Sequence, residues 1–326
     1  MKNFIYNLQL FAELNTNLTT SAGLSEEMKT YYSDYLIDNA IPKLVHDQFG
    51  QKHPIPKNGG KTIQFRKYSP LGKLTTALQE GVTPDGQSLT MSVIEATVAQ
   101  YGGYVTLSDI LLLTAIDNNL VQATKLLGAQ AGATLDTITR EVLNGGTNVI
   151  FSGSKGGRVD LTASDTLSVD DIKKAVRLLK TQNAEQINGS WVGIIHPDVA
   201  YDLTNDPLWK DVKTYDPSDL YEGEIGKIFG VRFVETTEAK IWAKAGSGGR
   251  AVYSTLILGD NAYGSTELSG GGLEHIVKQL GSAGTGDPLN QRATAGWKAS
   301  KVSERLVENY MVRIESASTF NPEVNN

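Results

Sequence analysis

The sequence contains no cysteine in 326 residues, and this absence excludes several chemistries at once. Disulfides, thiolate zinc sites and cysteine nucleophiles cannot form, so the stability of the fold must come from burial and association. We also expect no membrane partner, because no run of apolar residues approaches the ~18 that a spanning helix needs. The chain carries 30 Lys and Arg against 36 Asp and Glu, a balance that disfavours a general nucleic-acid clamp.

Motifs for catalysis and cofactor binding are absent as well. No Ser has Gly two positions before and two positions after it, as the nucleophile elbow of α/β-hydrolases requires. The stretch Asn58–Thr62 is similar to the end of a phosphate-binding loop, but Ile55 stands where that loop needs Gly. We therefore predict no catalytic residues and no cofactor, and we expect a protein that is not an enzyme.

The sequence offers no candidate for a metal site either. The four His residues are far apart and lack the i, i+4 spacing by which helical ligands share an ion. These residues are His46, His53, His196 and His275. Two acidic pairs, Asp170–Asp171 and Glu222/Glu224, lie where helix starts or loops explain them.

The chain opens with a polar-rich stretch followed by a helical pattern. We interpret residues 1–20 as an N-terminal arm that a neighbouring molecule orders. An apolar stripe of helical period then predicts a helix from near Ser25 to before Pro42. The stripe consists of Met28, Tyr31, Tyr32, Tyr35 and Leu36. Packing against a partner surface explains it better than an aromatic ligand site.

Two extended segments flank a long polar loop. Ile63 and Phe65 alternate with polar residues in the first segment, and extended character resumes after residue 91. The 23 residues from Ser69 to Met91 carry several Pro and Gly turn signals. Because a loop of this length in a compact domain is usually functional, we predict two paired arms and a hairpin that projects from its own core.

A long helix is predicted after the hairpin. Its apolar and small residues keep a 3.6-residue period for six turns, and the pair Gly145–Gly146 ends the helix. The inward positions are Leu120, Ala123, Leu127, Ala131, Thr134, Ile138 and Val142. The small residues at its middle would let another backbone lie close, so the pattern indicates a spine helix.

Helix and strand patterns alternate from residue 165 onward. Ser168 is a predicted N-cap with Asp171 at the third helical position. The inward residues of this helix are Ile172, Ala175, Val176 and Leu179. A buried strand over 191–195, a short helix with Pro197 in its first turn and a strand within 251–260 follow.

Two further segments have less regular patterns. Residues 223–236 are typical of a helical turn, a break at Gly230 and a strand from Val231 to Thr236. Near the end of the sequence, Leu306, Tyr310, Val312 and Ile314 share one face of an extended segment. We therefore predict that the last strand is half buried.

The stretch GDPLNQRATAGWK, residues 286–298, gathers the densest set of polar groups around one Trp. Its members are Asp287, Asn290, Gln291, Arg292, Trp297 and Lys298. Such a set can orient a substrate or fix a protein interface, because an Arg–carboxylate pair suits both uses. The residues alone leave this choice open.

The order of these elements resembles that of a tailed-bacteriophage major capsid protein with the Hong Kong phage-type fold. The resemblance covers nearly the whole chain and is sharpest in the opening NLQLFA and in the run DPLNQRATAGWK. NLQLFA is similar to the start of many coat proteins from phages of Gram-positive hosts. The implied fold class is α+β, with an N-terminal arm, an extended β-hairpin loop, a peripheral domain with a long spine helix, and an axial α/β domain.

The resemblance also implies domain boundaries. They are 1–60 for the arm and leading helix, 61–106 for the extended hairpin loop, 107–165 with 273–326 for the peripheral domain, and 166–272 for the axial domain. The polar stretch then lies where the chain returns to the peripheral domain. Trp297 would pack in that junction, while Arg292 and Asp287 would satisfy each other or a neighbour. We therefore expect the polar stretch to form a packing or protein–protein contact rather than a catalytic site.

The implied function is structural. Copies would assemble through hexamers and pentamers into an icosahedral head that encloses double-stranded phage DNA without sequence-specific binding. The expected partners are other copies, a portal protein and a scaffolding protein, and the protein would be made in the host cytoplasm for the virion. Two alternatives stay open: a shell protein of the same fold that encapsulates cargo, and an α/β enzyme.

Some relatives of this fold lock their shells with a covalent bond between a Lys and an Asn. Lys61, Lys67 and Lys73 lie on or near the predicted loop. Surface Lys is common, however, and no residue identifies the Glu that such a reaction needs. We therefore expect shells without this crosslink.

Overall fold

The computed structural model describes most of the chain, in several ranges. They are 16–17, 45–54, 61–68, 71–77, 80–81, 83, 85–114, 119–210, 226–266, 273–282 and 286–326. The predicted helix between Ser25 and Pro42 lies outside these ranges, as does the predicted arm apart from two residues. The chain divides into two compact units, described separately below. Unit 1 comprises 1–41, 101–131 and 273–299, and unit 2 comprises 42–100, 132–272 and 300–326.

The described ranges contain sixteen strands and four complete α-helices, and residues 207–210 are helical as well. The strands are β1 (Thr16–Asn17), β2 (Gln51–His53), β3 (Thr62–Tyr68), β4 (Met91–Thr97), β5 (Ala99–Ser108), β6 (Val149–Phe151), β7 (Trp191–Ile195), β8 (Lys227–Ile228), β9 (Val231–Glu235), β10 (Ile241–Trp242), β11 (Val252–Leu258), β12 (Tyr263–Thr266), β13 (Leu273–Lys278), β14 (Arg292–Lys301), β15 (Ser303–Arg305) and β16 (Met311–Ser316). The helices are α1 (Asp109–Thr114), α2 (Asn119–Asn144), α3 (Val169–Thr181) and α4 (Pro197–Asn205). Both helices and strands are abundant, as the α+β expectation requires.

Unit 1 is built around a four-stranded sheet in the order β1-β5-β14-β13. Strands β13 and β14 pair antiparallel, from Leu273 opposite Ala299 to Lys278 opposite Thr294. A small apolar core of Leu107, Leu111 and Ala123 joins the end of β5 to helix α1 and the first half of α2. Strand β13 is the edge strand of this sheet.

Helix α2 is the predicted spine. It runs for 26 residues, or ~39 Å, and ends just before Gly145. Ala123, Leu127 and Ala131 are buried as predicted. Farther along, Leu135 and Leu143 are fully buried, whereas the predicted inward residues Thr134, Ile138 and Val142 are only partly covered. The buried residues recur every four positions here, whereas a helical turn has 3.6 residues, so the buried stripe rotates around the helix. No described helix is long and apolar enough to cross a membrane.

Unit 2 centres on a seven-stranded sheet. Its order is β6-β16-β11-β7-β9-β8, with β10 paired to β11. One face packs against helices α3 and α4, which bury Ile172, Leu179 and Leu203 against it. The other face buries Ile194, Leu256 and other apolar residues. Because both faces are covered, the strands are apolar along most of their length.

Local signals set the helix starts in unit 2. The Ser168 hydroxyl accepts a hydrogen bond from the Asp171 backbone N–H, and the Asp171 carboxylate accepts one from the Ser168 backbone in return. This reciprocal capping box satisfies two backbone donors that a helix start leaves free, as predicted. Helix α4 begins at Pro197, and the His196 ring accepts a hydrogen bond from the Asp198 backbone N–H.

The predicted helical turn before Gly230 is wrong. Lys227–Ile228 is a strand, β8, that pairs antiparallel with β9. Phe229 and Gly230 connect them with φ values of 47° and 83°. Two consecutive left-handed residues are typical of a two-residue hairpin turn, whose twist matches that of the paired strands. The Phe–Gly pair lacks the usual Asn-Gly signal, so the sequence pattern did not indicate a hairpin.

The prediction of a half-buried last strand is also wrong. Residues 308–310 form a 3-10 turn, and the strand β16 that follows is buried at all six positions. It lies between β6, which runs parallel to it, and β11, which runs antiparallel. Val312 and Ile314 face one apolar core, and Met311 faces the other. Neighbours on both edges and both faces therefore cover this strand.

Two smaller sheets complete unit 2. Strand β12 pairs with β15 on one side and with β2 on the other. Strands β3 and β4 form a separate antiparallel hairpin, from Thr62 opposite Thr97 to Tyr68 opposite Met91. The two predicted arms therefore pair, and the residues between Tyr68 and Met91 connect them.

Candidate assembly surfaces

The near end of the β3–β4 hairpin is anchored in unit 2. Ile63, Phe65 and Ala96 are buried together, and Val302 and Leu306 pack against them. A Cβ added at Gly264 would lie 2.6 Å from the Phe65 ring, so only Gly permits this close approach. The hairpin therefore starts from a fixed, well-packed base.

The far end of the hairpin has the opposite character. Every described residue from 71 to 77 and from 85 to 93 is exposed. Leu71, Leu74 and Leu89 are 54%, 74% and 72% exposed. One hydrogen bond of 3.0 Å, from the Gln87 amide to the Gly72 carbonyl, joins the two sides of the loop. Large apolar side chains held in water by an anchored hairpin are typical of a contact surface for another molecule.

The lysines considered for crosslinking are spread along this hairpin. Lys61 precedes β3 and Lys73 lies in the loop, and both are exposed. Lys67 belongs to β3, opposite Ser92. No cluster of reactive groups surrounds Lys61 or Lys73 in the described ranges, so the expectation of shells without a crosslink stays a prediction.

The polar stretch 286–298 forms a turn and a strand within unit 1. Asp287 is buried, and its carboxylate accepts a 2.7 Å hydrogen bond from the Arg292 backbone N–H. The Arg292 guanidinium lies 3.9 Å from the same carboxylate and donates to the Gly286 carbonyl over 2.7 Å. Asn290 closes the turn by donating its backbone N–H to the Asp287 carbonyl. Arg292 and Asp287 thus satisfy each other, as predicted.

The remaining members of the stretch hold β14 in its sheet. Trp297 is buried, and its indole N–H donates a 3.1 Å hydrogen bond to the Gln130 side chain on α2. Lys298 points to the surface, where it pairs with Glu274 at 3.2 Å. The Gln291 carbonyl accepts from the Asp109 backbone at the start of α1. The buried carboxylate, the two cations and the indole of the stretch therefore all have structural partners.

Unit 1 also exposes large apolar side chains near α1 and α2. Ile110 and Leu113 on α1 are 58% and 86% exposed. Tyr104 on β5 and Leu126 on α2 are exposed as well. Several such residues in one small unit indicate a second contact surface.

Unit 2 contains a buried ionic cluster that the sequence analysis missed. The Lys301 ammonium, with no exposed side-chain surface, contacts the Asp47 carboxylate, and Lys52 binds the same carboxylate at 2.5 Å. Burial lowers the pKa of Lys301, while the nearby Asp47 charge opposes that shift. Thr139 on the spine helix joins the cluster, because its hydroxyl donates to the Asp47 carboxylate over 3.4 Å and lies 2.9 Å from the Ser303 hydroxyl. These contacts fix residues 45–54 to α2 and β14.

A second buried set lies beside it. The His46 ring and backbone N–H both bind the Asp136 carboxylate at 2.7 Å. The Tyr263 hydroxyl donates to the His46 carbonyl, and burial raises the pKa of this Tyr. His46 is therefore a satisfied core residue and not a metal ligand.

A third ionic cluster locks β16 into the seven-stranded sheet. Glu315 is fully buried and accepts two 2.7 Å hydrogen bonds from the Arg158 guanidinium. Arg313 lies 2.9 Å from the same carboxylate, and the Arg158 guanidinium stacks 3.7 Å above the Trp242 ring. One buried acid shared by two guanidiniums is well satisfied, so this cluster stabilises the fold.

The grouping most like an active site is His196, Asp198 and Tyr253 in unit 2. The Tyr253 hydroxyl donates a 2.6 Å hydrogen bond to Asp198, and burial raises the pKa of this hydroxyl. Burial lowers the pKa of His196, whose ring caps helix α4. Tyr253 is fully buried, so no substrate can reach its hydroxyl. Within the described ranges no cluster of three or more His or acidic residues could hold a metal ion.

Comparison with known proteins agrees with an assembly role. A family model described as phage capsid protein matches residues 92–303, well over half of the chain. The chain belongs to the phage capsid protein family. No curated protein matches it. The chain is therefore a structural protein of the virion, a major capsid protein of an icosahedral phage head that assembles into a multimeric shell.

Solved capsid structures share the fold of this capsid protein at low sequence identity. The capsid of Ralstonia phage GP4 aligns with a TM-score of 0.69 at 13% identity, covering 99% of this chain and 100% of that one. The capsid of cyanophage P-SCSP1u aligns at 0.64 and 15% identity over 85% and 87%. The capsid of Helicobacter pylori bacteriophage KHP30 aligns at 0.58 and 13% identity over 97% and 99%. These likenesses confirm the expected tailed-phage capsid fold.

The sequence analysis of the capsid protein missed the ionic clusters for one reason. Asp47 and Lys301 are 254 positions apart, and Arg158 and Glu315 are 157 apart. Neither pair has a local spacing that a pattern could reveal. The projecting hairpin was easier to predict, because a long loop between two alternating segments is a local signal.

Proposed function

We propose that this capsid protein builds the head by repeated heterologous contacts that close into hexamers and pentamers. The observation that carries the proposal is the contrast within the β3–β4 hairpin, whose base is buried and whose far end exposes Leu71, Leu74 and Leu89. Such a hairpin contributes little to its own core and reaches a neighbour. Contacts of this kind close into rings when the rotation between copies permits.

We further propose the four assembly regions that the resemblance implies. They are residues 1–60, 61–106, 107–165 with 273–326, and 166–272. Strands β6 and β16 of the third region lie in the same sheet as β7 and β11 of the fourth. The parts of the third and fourth regions that belong to unit 2 therefore share one sheet.

The proposed shell encloses double-stranded DNA without sequence-specific binding. An excess of 36 acidic over 30 basic residues supports this, because a strongly basic wall would hold the DNA phosphates and resist movement of the DNA. We propose a portal and a scaffolding protein as further partners, synthesis in the host cytoplasm, and no enzymatic activity. The satisfied state of the His, Tyr and acidic groups described above supports the last point.

Electron microscopy of the purified chain, after size-exclusion chromatography, tests the proposal. We expect closed shells that contain both sixfold and fivefold clusters. A protein that stays monomeric at high concentration, with no particles under any ionic strength, would contradict it. Native particles distinguish the remaining alternative, because a cargo compartment would hold protein where a phage head holds nuclease-protected double-stranded DNA.

A further inference from the structure

Helix α3 carries a row of basic side chains on its outer face. Lys173, Arg177 and Lys180 follow one another at helical spacing, i, i+4 and i+7, opposite the residues that face the core. They line an open cavity of about 580 Å³ together with Val176, Thr181 and Phe229. These six residues are called the basic groove below.

Two of the three cations of the basic groove have no acidic partner in the part of the chain that the structure describes. Arg177 and Lys180 are exposed, and neither forms an ion pair with any residue in the described ranges. By contrast Lys174, one position along the same helix, pairs with Asp170 at 2.9 Å. The groove therefore presents positive charge to the outside, where an anionic group can bind it.

One wall of the groove is a strained aromatic residue. Phe229 has φ of 47°, a conformation that bulky residues rarely adopt, and its side chain is 46% exposed. The Lys173 ammonium lies 4.8 Å from the centre of the ring. A mixed basic and apolar groove suits an acidic segment that also carries aromatic or aliphatic side chains.

The chain itself contains a segment of that composition. Residues 211–225, DVKTYDPSDLYEGEI, lie outside the described ranges but have this composition. They hold five acidic residues and one Lys, a net charge of 1 − 5 = −4, out of −6 for all 326 residues. Two Tyr, one Leu and one Ile accompany the charges. The segment therefore carries most of the negative balance together with apolar groups.

We propose that the basic groove binds segment 211–225 of a second copy of this chain. The inference rests on the proposed function, because a ring of copies needs two different, complementary surfaces on each subunit. Positive charge with an aromatic wall on one side, and negative charge with apolar groups on the other, meet that need. Three cations and an apolar wall form too short a stripe for DNA, which is held by longer rows of Lys and Arg.

Charge reversal with mixing tests this proposal. One variant carries Arg177→Glu with Lys180→Glu, and a second carries Asp219→Lys with Glu222→Lys. Each variant alone opposes like charges at every contact, so we expect its yield of closed particles to fall about tenfold or more, with monomer melting unchanged. A 1:1 mixture lets groove and segment of different copies match, and we expect most of the yield to return.

A matched control reverses two exposed basic residues outside the groove, Arg232→Glu with Lys244→Glu. Both residues are exposed, and this control changes the net charge by the same amount. It should assemble like the parent protein. If the control fails as badly as the groove variant, net charge rather than the groove governs assembly and the inference is wrong.

Other outcomes overturn the inference in distinguishable ways. Normal shells from the groove variant would refute the groove contact and leave the proposed function intact. Failure of the mixture to recover, with each variant folded, would show a contact within one chain. Normal assembly with lost binding of a labelled 20-base-pair duplex would assign the groove to nucleic acid. A parent that forms no shells would refute the proposed function and this inference with it.

The test also allows for a groove variant that folds poorly. Arg177→Gln with Lys180→Gln removes both charges without reversing them, so it keeps the helix and avoids repulsion. We expect this variant to lose fewer particles than the charge-reversal variant. The particle yield of the parent should fall more steeply with salt than the yield of this variant. Equal salt dependence in the two proteins would count against the groove.

Discussion

The β3–β4 hairpin and strand β16 belong to the same unit but differ in what covers their side chains. All six residues of β16 are buried between β6 and β11, and its charged groups are paired. The far end of the hairpin exposes three leucines and has one described hydrogen bond across it. The difference indicates two roles: β16 stabilises the subunit, and the hairpin tip is the part that we propose to contact a neighbour.

Removing the buried acid of β16 should have the largest effect. Glu315→Ala leaves the Arg158 and Arg313 guanidiniums without their shared carboxylate, so we expect a loss of ~3–5 kcal/mol in the free energy of unfolding. Chemical denaturation of the monomer measures it. Glu274→Ala is the matched control, because its pair with Lys298 is about half exposed and worth at most about 1 kcal/mol. Equal effects of the two changes would contradict the contrast.

Enlarging the buried face of α2 comes next. Ala131 is 1% exposed, so Ala131→Trp should overpack its surroundings and cost about 1–3 kcal/mol or more. We expect insoluble or unassembled subunits, measured by soluble yield and electron microscopy. Gly128→Ala is a useful companion, because an added Cβ there meets nothing within 4 Å and should raise helix propensity. Normal shells from Ala131→Trp would show that this face is free.

The capping box of α3 should contribute a smaller amount. Ser168→Ala removes the hydroxyl that accepts from the Asp171 backbone, and we expect a loss of about 1 kcal/mol. Thermal melting of the monomer detects a change of this size. Ser164→Ala is the control. If both variants melt at the temperature of the parent within error, the rest of unit 2 holds the helix start without the cap.

Shortening the hairpin tip should have the smallest effect on the monomer. Tyr68 and Met91 are directly paired, so an Asn-Gly turn in place of residues 69–90 joins the strands without changing their register. We expect an unchanged circular dichroism shape per residue, a cooperative melt and no closed shells. If the shortened chain forms shells of parental size, the hairpin is not an assembly element. If it fails to fold, these residues belong to the core.

Local signals made part of this structure predictable from sequence. The capping box at Ser168, the Pro197 helix start and the Gly145 helix end each depend on residues a few positions apart. The paired arms of the hairpin were predictable because alternation and turn signals are also local. The resemblance to capsid proteins supplied the order in which these elements combine.

The features that were missed depend on distant residues. Burial of β16 requires β6, which lies about 160 positions earlier in the chain, and periodicity contains no information on neighbours. The Asp47–Lys301 contact likewise joins opposite ends of the sequence. The turn at Phe229 was missed for a different reason, because a bulky residue at positive φ breaks the usual turn rules. Such exceptions occur where function or tertiary packing outweighs the local conformational preference of a residue.

The position of β16 also sets an order of events during synthesis. Strands β6 and β11 leave the ribosome well before residues 311–316, which are the last described strand in the chain. Until β16 arrives, both neighbours keep an open edge that can pair with another nascent chain. Until then the Arg158 guanidinium also lacks the Glu315 carboxylate that it binds in the folded chain. Several nascent chains on one messenger RNA can be in this state at the same time. Their open strand edges can then pair wrongly before any shell contact forms.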